Sequence, residues 1–224
     1  MLLTSRDAMR LSWEMAILAA CQGGAKWICV REKTASPREI LDLCARAQKI
    51  TEKFGAQLFL NGRADLCRAA HCDGLHLPQS EISPENARLT LGFHTPIGVS
   101  VHDLEEARRA VGEGATYLLF GHVFASRSHP HHEPRGLGEL EKVASAVSVP
   151  VYAVGGISAH NAAHCLEAGA RGVAAISGVW EGENGAQIAA NVRALRNALQ
   201  EFDAPAHGLA AILKNGAHAE QTGA

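Results

Sequence analysis

Pro150-Val151-Tyr152-Ala153-Val154-Gly155-Gly156-Ile157 is followed by a helix-length stretch. Then comes Gly169-Ala170-Arg171-Gly172-Val173-Ala174-Ala175-Ile176-Ser177-Gly178. Two short, almost continuously apolar runs bracket a helical pattern, as expected of parallel strands buried on both faces and joined by a crossover helix. Working outward, similar runs begin near Leu2, Lys26, Gln57, Gly74, Pro96 and Thr116, making eight with Pro150 and Gly172. Helical segments lie between and after them, at 8–21, 37–54, 64–69, 84–91, 104–113, 137–146, 159–168 and 186–202. Ser36-Pro37 and Ser83-Pro84 read as an N-cap followed by a first helical residue, and Ser158 precedes the seventh helix in the same way. Gly24-Ala25, Gly114-Ala115 and Gly169-Ala170 each lead into a strand, the recurrence expected of a helix ending in a C-cap glycine before an inner strand.

Eight strands alternating with eight helices require parallel pairing through right-handed crossovers. The expectation is an α/β protein, a single (β/α)8 TIM barrel over residues 1–202, with a loosely held tail at 203–224. A doubly wound sheet is the rival that periodicity alone leaves open. The 224 residues suit one barrel-sized domain, and 21 Lys+Arg against 23 Asp+Glu give no pull toward nucleic acid or an anionic membrane. No apolar run reaches the roughly 20 residues of a membrane span, and the N-terminus has no signal-peptide order. The six cysteines form no C-x-x-C pair and sit mostly in apolar segments. They are expected to be reduced packing residues of a cytoplasmic protein.

In such a barrel, function is read at the C-terminal ends of the strands. Gly155-Gly156 followed one strand later by Ile176-Ser177-Gly178 makes a phosphate site, because glycines let the backbone approach an anion and these two loops are a frequent phosphate location. Alone, the glycine pair is no more than a tight turn. Arg31 and Lys33 project to the same side of an extended segment and present two cations, or else form a solvated basic edge. His122 ends the sixth strand between Gly121 and Val123, and histidine is a side chain suited to moving a proton in either direction. His76 and His102 also end strands, so spacing does not single out His122. The surplus segment 125–138 (ASRSHPHHEPRGLG) is polar and follows a strand end, which suggests a mobile lid.

The order of these motifs resembles the thiamin phosphate synthase/TenI superfamily over about residues 1–180. The pieces are Arg31-Glu32-Lys33, the Asn61 segment, His76-Leu77-Pro78-Gln79, Gly98-Val99-Ser100-Val101-His102, Gly155-Gly156-Ile157 and Ala174-Ala175-Ile176-Ser177. The synthase branch joins a pyrimidine pyrophosphate to a thiazole phosphate with Mg²⁺. Its pattern carries an Asn-Asp pair, a Gln-x-Asp and a Thr-x-Thr-Lys-like stretch. Here Gly62 stands in place of the first Asp and Glu81 in place of the second, and Ala125-Ser126-Arg127-Ser128 lacks the lysine.

Gly121-His122-Val123-Phe124 and Asn61-Gly62-Arg63-Ala64-Asp65 instead resemble the TenI-type thiazole tautomerase. That resemblance implies an isomerase that aromatises a thiazole carboxylate phosphate without cofactor or metal, with His122 as the catalytic acid/base. Arg31 or Lys33 would balance the carboxylate, Asn61 and Ser100 would line the ring pocket, and His102 would be a second-choice acid. Arg135 and Gly136 would reach the ligand from the lid, and Gly155, Gly156, Ile176, Ser177 and Gly178 would hold the phosphate. The alternatives are a Mg²⁺-dependent thiamin phosphate synthase and a non-catalytic ligand-binding or regulatory protein. The chain shows no basic patch or helix-turn-helix pattern for DNA. The expected partner is a small thiazole phosphate, with neither nucleic acid nor membrane, and barrel habit alone points to a homodimer.

Overall fold

The computed structural model describes residues 1–126 and 132–200. Eight parallel strands run in the order β1 (Leu2–Leu3), β2 (Trp27–Val30), β3 (Gln57–Asn61), β4 (Gly74–Leu77), β5 (Ile97–Val101), β6 (Tyr117–Gly121), β7 (Val151–Val154) and β8 (Gly172–Ala174), each paired with the next. The ring closes between its first and last members: Leu2 bridges Ala175, the Leu3 N–H donates to the Ala175 carbonyl at 3.0 Å, and the Ala175 N–H donates to the Met1 carbonyl at 3.0 Å. The fold is a single (β/α)8 barrel, and the doubly wound alternative is excluded by this closure.

Helices α1 (Trp13–Gln22), α2 (Pro37–Thr51), α3 (Ala64–Ala69), α4 (Pro84–Leu91), α5 (Leu104–Gly112), α6 (Gly136–Ala146), α7 (Ala162–Glu167), α8 (Ser177–Trp180) and α9 (Gly185–Gln200) form the outer ring. Ser36 makes a full capping box with Glu39, and the Ser83 hydroxyl accepts from the Asn86 N–H. Ser158 is not a cap: Asn161 occupies that position, with its amide on the Gly156 carbonyl, and α7 starts later than the pattern implied. The helical pattern from residue 8 also starts early, since Arg6–Ala8 is a separate 3-10 turn and Ser12 precedes α1. Helix α8, a single turn directly after β8, was not legible in the periodicity.

The repeated Gly-Ala pairs have a shared cause. At Gly24, Gly114 and Gly169 φ is +92°, +91° and +85°. The following alanine N–H reaches back to the carbonyls of Ala20, Ala110 and Cys165 at 3.1, 2.9 and 2.9 Å. Each is a helix end closed by a left-handed residue, which turns the chain into the next strand.

Two apolar layers follow from strand alternation. Leu58, Leu60, Leu118 and Phe120 face the helices. Cys29, Phe59, Tyr117, Leu119 and Tyr152 fill the barrel interior. The aromatic rings sit over glycines of neighbouring strands. A Cβ on Gly74 would lie 2.2 Å from the Phe59 ring, and one on Gly98 would lie 2.0 Å from that of Tyr117. Phe59 and Tyr152 each meet Tyr117 nearly edge-on, at 6.1 and 6.0 Å. The lower interior is thereby packed and dry. Among the described residues, no helix is long and apolar enough to cross a membrane. The tail expected at 203–224 and the middle of the lid expected at 125–138 lie outside the described residues.

Candidate active site

The alternation that packs the interior also builds the mouth. One inward position beyond Cys29 is Arg31, one beyond Phe59 is Asn61, and one beyond Leu119 is Gly121. His76 and Ser100 take the corresponding places on β4 and β5. These ends surround a cavity of about 670 Å³, within the range of small-molecule sites.

Arg31, Lys33, Asn61, Ser100, His102 and His122 all line this cavity, as do Gly155, Gly156, Ile176, Ser177 and Gly178. The structure therefore brings together eleven of the thirteen residues singled out in the sequence. Arg135 and Gly136 do not line it; their N–H groups are held by the His122 and Val123 carbonyls at 2.9 and 3.1 Å.

The cations are set by their neighbours. Thr4, fully buried at the end of β1, accepts from the Arg31 N–H at 2.9 Å and so fixes the exit of β2. Glu32 would neutralise the adjacent cations but is taken by Arg6 at 2.6 Å. Among the described residues, the Arg31 and Lys33 side chains form no ion pair, so both remain for an anionic ligand. On the other side of the mouth, Gly155 (φ +97°) is required sterically, since a Cβ there would lie 2.2 Å from that of His122. The N–H groups of Gly156 and Ile157 have no acceptor among the described residues. That is the arrangement of donors an anion uses.

His122 is buried, and its Nε2 lies 3.1 Å from the His132 carbonyl. A carbonyl only accepts, so Nε2 carries a proton. His102 is tied to α5, its Nδ1 lying 3.0 Å from Glu106 Oε2 and its N–H 2.7 Å from the same oxygen. His76 is more deeply placed than the sequence indicated. It is buried, stacked 5.9 Å from the Tyr117 ring, with Nε2 2.8 Å from Ser100 Oγ and Nδ1 unpartnered. Burial, reinforced by the Arg31 charge, lowers its pKa to about 3, so the ring is neutral. Ser126 was also overlooked, and it brings a buried, unpartnered Oγ to the cavity wall. Neither burial nor a missing partner has any signal in sequence spacing.

Candidate metal donors are few. Among the described residues no cluster of three His, Cys, Asp or Glu converges. Asp65 is paired with Arg63 at 2.6 Å, and Asp73 accepts the Leu58 N–H at 2.7 Å, so neither replaces the carboxylate missing at Gly62. Glu81 does reach that place, its Oε1 lying 3.6 Å from where a Cβ on Gly62 would stand. A Mg²⁺ ion that is also held by substrate phosphates needs only one or two protein carboxylates. Glu81, with the Asn61 amide across the same cavity, meets that minimum.

A profile of the thiamine monophosphate synthase family matches residues 1–179. The chain is 37% identical over 191 residues to a thiamine-phosphate synthase of Chloroflexus aurantiacus, covering 85% of this chain and 88% of that protein. It is 38% identical over 181 residues to one of Moorella thermoacetica, covering 80% and 85%. A solved structure of thiamine phosphate pyrophosphorylase from Pyrococcus furiosus superposes with a TM-score of 0.80 at 32% identity, over 89% of this chain and 94% of that one.

These relatives correct the expectation of a thiazole tautomerase, and with it the isomerase class. That expectation rested on two short segments whose residues have local structural tasks. His122 donates to the His132 carbonyl, and Arg63 is spent on Asp65. Similarity sustained over most of the barrel outweighs both segments: the chain belongs to the thiamine monophosphate synthase family.

Proposed function

We propose that the chain is a thiamine-phosphate synthase, a transferase that joins a pyrimidine pyrophosphate to a thiazole phosphate. The observation that carries this reading is the 37% identity to a thiamine-phosphate synthase across 85% of the chain. The site supports it with two separate anion-holding regions on one cavity: the Arg31–Lys33 pair, and the glycine loops after β7 and β8.

In this reading a C–N bond forms from the thiazole nitrogen to the carbon bearing the pyrophosphate. The C–O bond breaks, and its electron pair leaves with the pyrophosphate. Arg31 and Lys33 hold that leaving group and offset its charge, as preorganised cations do for a departing anion. Gly155, Gly156, Ile176, Ser177 and Gly178 hold the thiazole phosphate, so the reacting atoms meet between two fixed anions. Asn61 and Ser100 line the ring pocket, and His102 stands at the rim on Glu106. His122, its Nε2–H held by the His132 carbonyl, forms the cavity wall beside the phosphate loops. Glu81, with Asn61, would hold a Mg²⁺ ion, which when bound neutralises charge on the pyrophosphate.

The test is direct. Purified protein is incubated with the pyrimidine pyrophosphate, thiazole phosphate and Mg²⁺, and the coupled product and released pyrophosphate are quantified. Stoichiometric appearance of both, lost in Arg31→Ala, is the expected result. Binding of both substrates with no coupled product would overturn the reading and leave a ligand-binding protein.

A further inference from the structure

Glu106 stands behind the mouth rather than in it. It lines a separate small pocket between α4 and α5, whereas the two side chains it holds, His102 and Gln79, line the active-site cavity. Its position follows from the start of α5. Asp103 is the N-cap, and its Oδ1 accepts the Glu106 N–H at 2.8 Å. A glutamate at this third helical position ordinarily reaches back to the N–H of the cap residue. Glu106 reaches one residue further. Its Oε2 accepts the His102 backbone N–H at 2.7 Å and lies 3.0 Å from the His102 Nδ1. Its Oε1 accepts from the amide nitrogen of Gln79, on the loop after β4. Capping α5 requires neither the imidazole nor the Gln79 amide, since Asp103 supplies the cap. A carboxylate only accepts, so Nδ1 carries a proton and Nε2 is the ring nitrogen that Glu106 does not engage. Gln79 also opens the turn that carries Glu81, whose N–H returns to the Pro78 carbonyl at 3.1 Å. Holding Gln79 therefore steadies the carboxylate assigned to Mg²⁺ as well.

We propose that Glu106 is a positioning residue, which acts through His102, Gln79 and the Glu81 turn on the pyrophosphate-bearing substrate and its Mg²⁺. The role in turnover rests on the synthase reading; the placement of the ring and the loop does not. Strand order assigns the effect to one substrate. The contacts of Glu106 are confined to the ends of β4 and β5. Strand β6 separates them from the glycine loop after β7, and the loop after β8 lies further round the ring. Glu106 thus orders one side of the mouth and leaves the thiazole-phosphate side alone. The logic is that of an outer partner of a metal or substrate ligand, whose removal costs about 10–100-fold in metal affinity or activity.

The first measurement needs no substrate. The full chain, labelled with nitrogen-15 at histidine, is observed by NMR at mildly alkaline pH, where imidazoles are neutral. The His102 ring is identified as the one lost in His102→Gln. The expected wild-type ring is protonated at Nδ1. Glu106→Ala should move that proton to Nε2, the nitrogen an unrestrained neutral imidazole favours. Glu106→Gln, whose side-chain oxygen still accepts from Nδ1, should keep it in place. Coupling kinetics follow. Glu106→Ala should raise the KM for the pyrimidine pyrophosphate and the half-saturating Mg²⁺ concentration by about 10-fold or more, with the KM for thiazole phosphate within about twofold of wild type. Asp103→Ala uncaps the same helix without touching the ring. It should lower the melting temperature by roughly 2–4 °C and leave both KM values within about twofold. A wild-type ring unprotonated at Nδ1, a ring signal indifferent to Glu106→Ala, or equal rises in both KM values would each overturn the proposal. Absence of coupling by the wild type would instead remove the synthase reading, and the ring signals would then decide alone whether Glu106 positions His102.

Discussion

At the floor of the barrel interior, Phe59, Tyr117 and Tyr152 stand over glycines of the neighbouring strands and exclude water. At inward positions further along the same strands, Asn61, Gly121 and Val154 open onto the 670 Å³ cavity. Backbone geometry is continuous between the two levels; only residue type changes. Large rings opposite absent side chains make a close-packed floor. Cations, amides and glycines at the next level leave donors without partners among the described residues. Stability and function thus occupy adjacent levels of one alternating pattern and should respond separately to substitution.

Arg31→Ala should separate them most strongly. Removing the cation at the mouth should lower kcat/KM for coupling by roughly 10²–10³-fold, the range for losing one preorganised charge donor. The melting temperature should stay nearly unchanged, because Arg31 forms no ion pair among the described residues. A large fall in melting temperature would break the separation. The converse change is Gly98→Ala at the floor. The new Cβ would lie 2.0 Å from the Tyr117 ring. Overpacking of this kind costs about 3 kcal/mol, a fall of roughly 6–12 °C for a domain of this size. Denaturant melts read this directly.

His76 lies at the boundary between the levels and sharpens the comparison through pH. Its folded pKa, about 3, is below the unfolded value near 6.5, so the unfolded chain binds the additional proton. Stability should be unaffected by this residue above pH 6.5. It should fall as pH drops from 6.5 toward 3, by up to about 1.4 kcal/mol per pH unit. Urea melts of wild type against His76→Gln over that window should show a shallower slope in the variant. Glu81→Gln tests the mouth alone. The Mg²⁺ concentration giving half-maximal coupling should rise by about 10-fold while thermal stability holds, as loss of the carboxylate proposed to hold the ion implies. The smallest effect concerns neither level: Ser36→Ala should cost about 1 kcal/mol by removing the capping box of α2.

Much of the mouth was legible because it lies on strand ends, and strand starts were readable to within a residue. Arg31, Asn61 and Ser100 are inward residues of apolar runs whose period is two. The assignment of chemistry was less secure. Gly121-His122-Val123-Phe124 suggested one branch of the family, while the sustained similarity of the whole barrel to synthases indicates the other. A motif of four residues reports local backbone needs as readily as catalysis. His122 illustrates this, since it is packed against Gly155 and bonded to the His132 carbonyl. Ser158 misled for a similar reason: capping depends on where a side chain turns, and Asn161 turns back to Gly156 instead.

By itself the sequence determined the alternation of eight apolar strands with helices, the glycine-closed helix ends and the identity of the strand-end residues. These are local properties, set by side-chain period and by which residues tolerate a left-handed backbone. Tertiary structure alone decided that Glu81 would reach the place left by Gly62 and that Arg6 would release Arg31 and Lys33 by taking Glu32. It also decided that His76 would lose its charge. Burial and through-space contact arise only when strands and helices distant in the chain close into one ring. No spacing along the chain encodes the solvent a group loses or the neighbour it gains there.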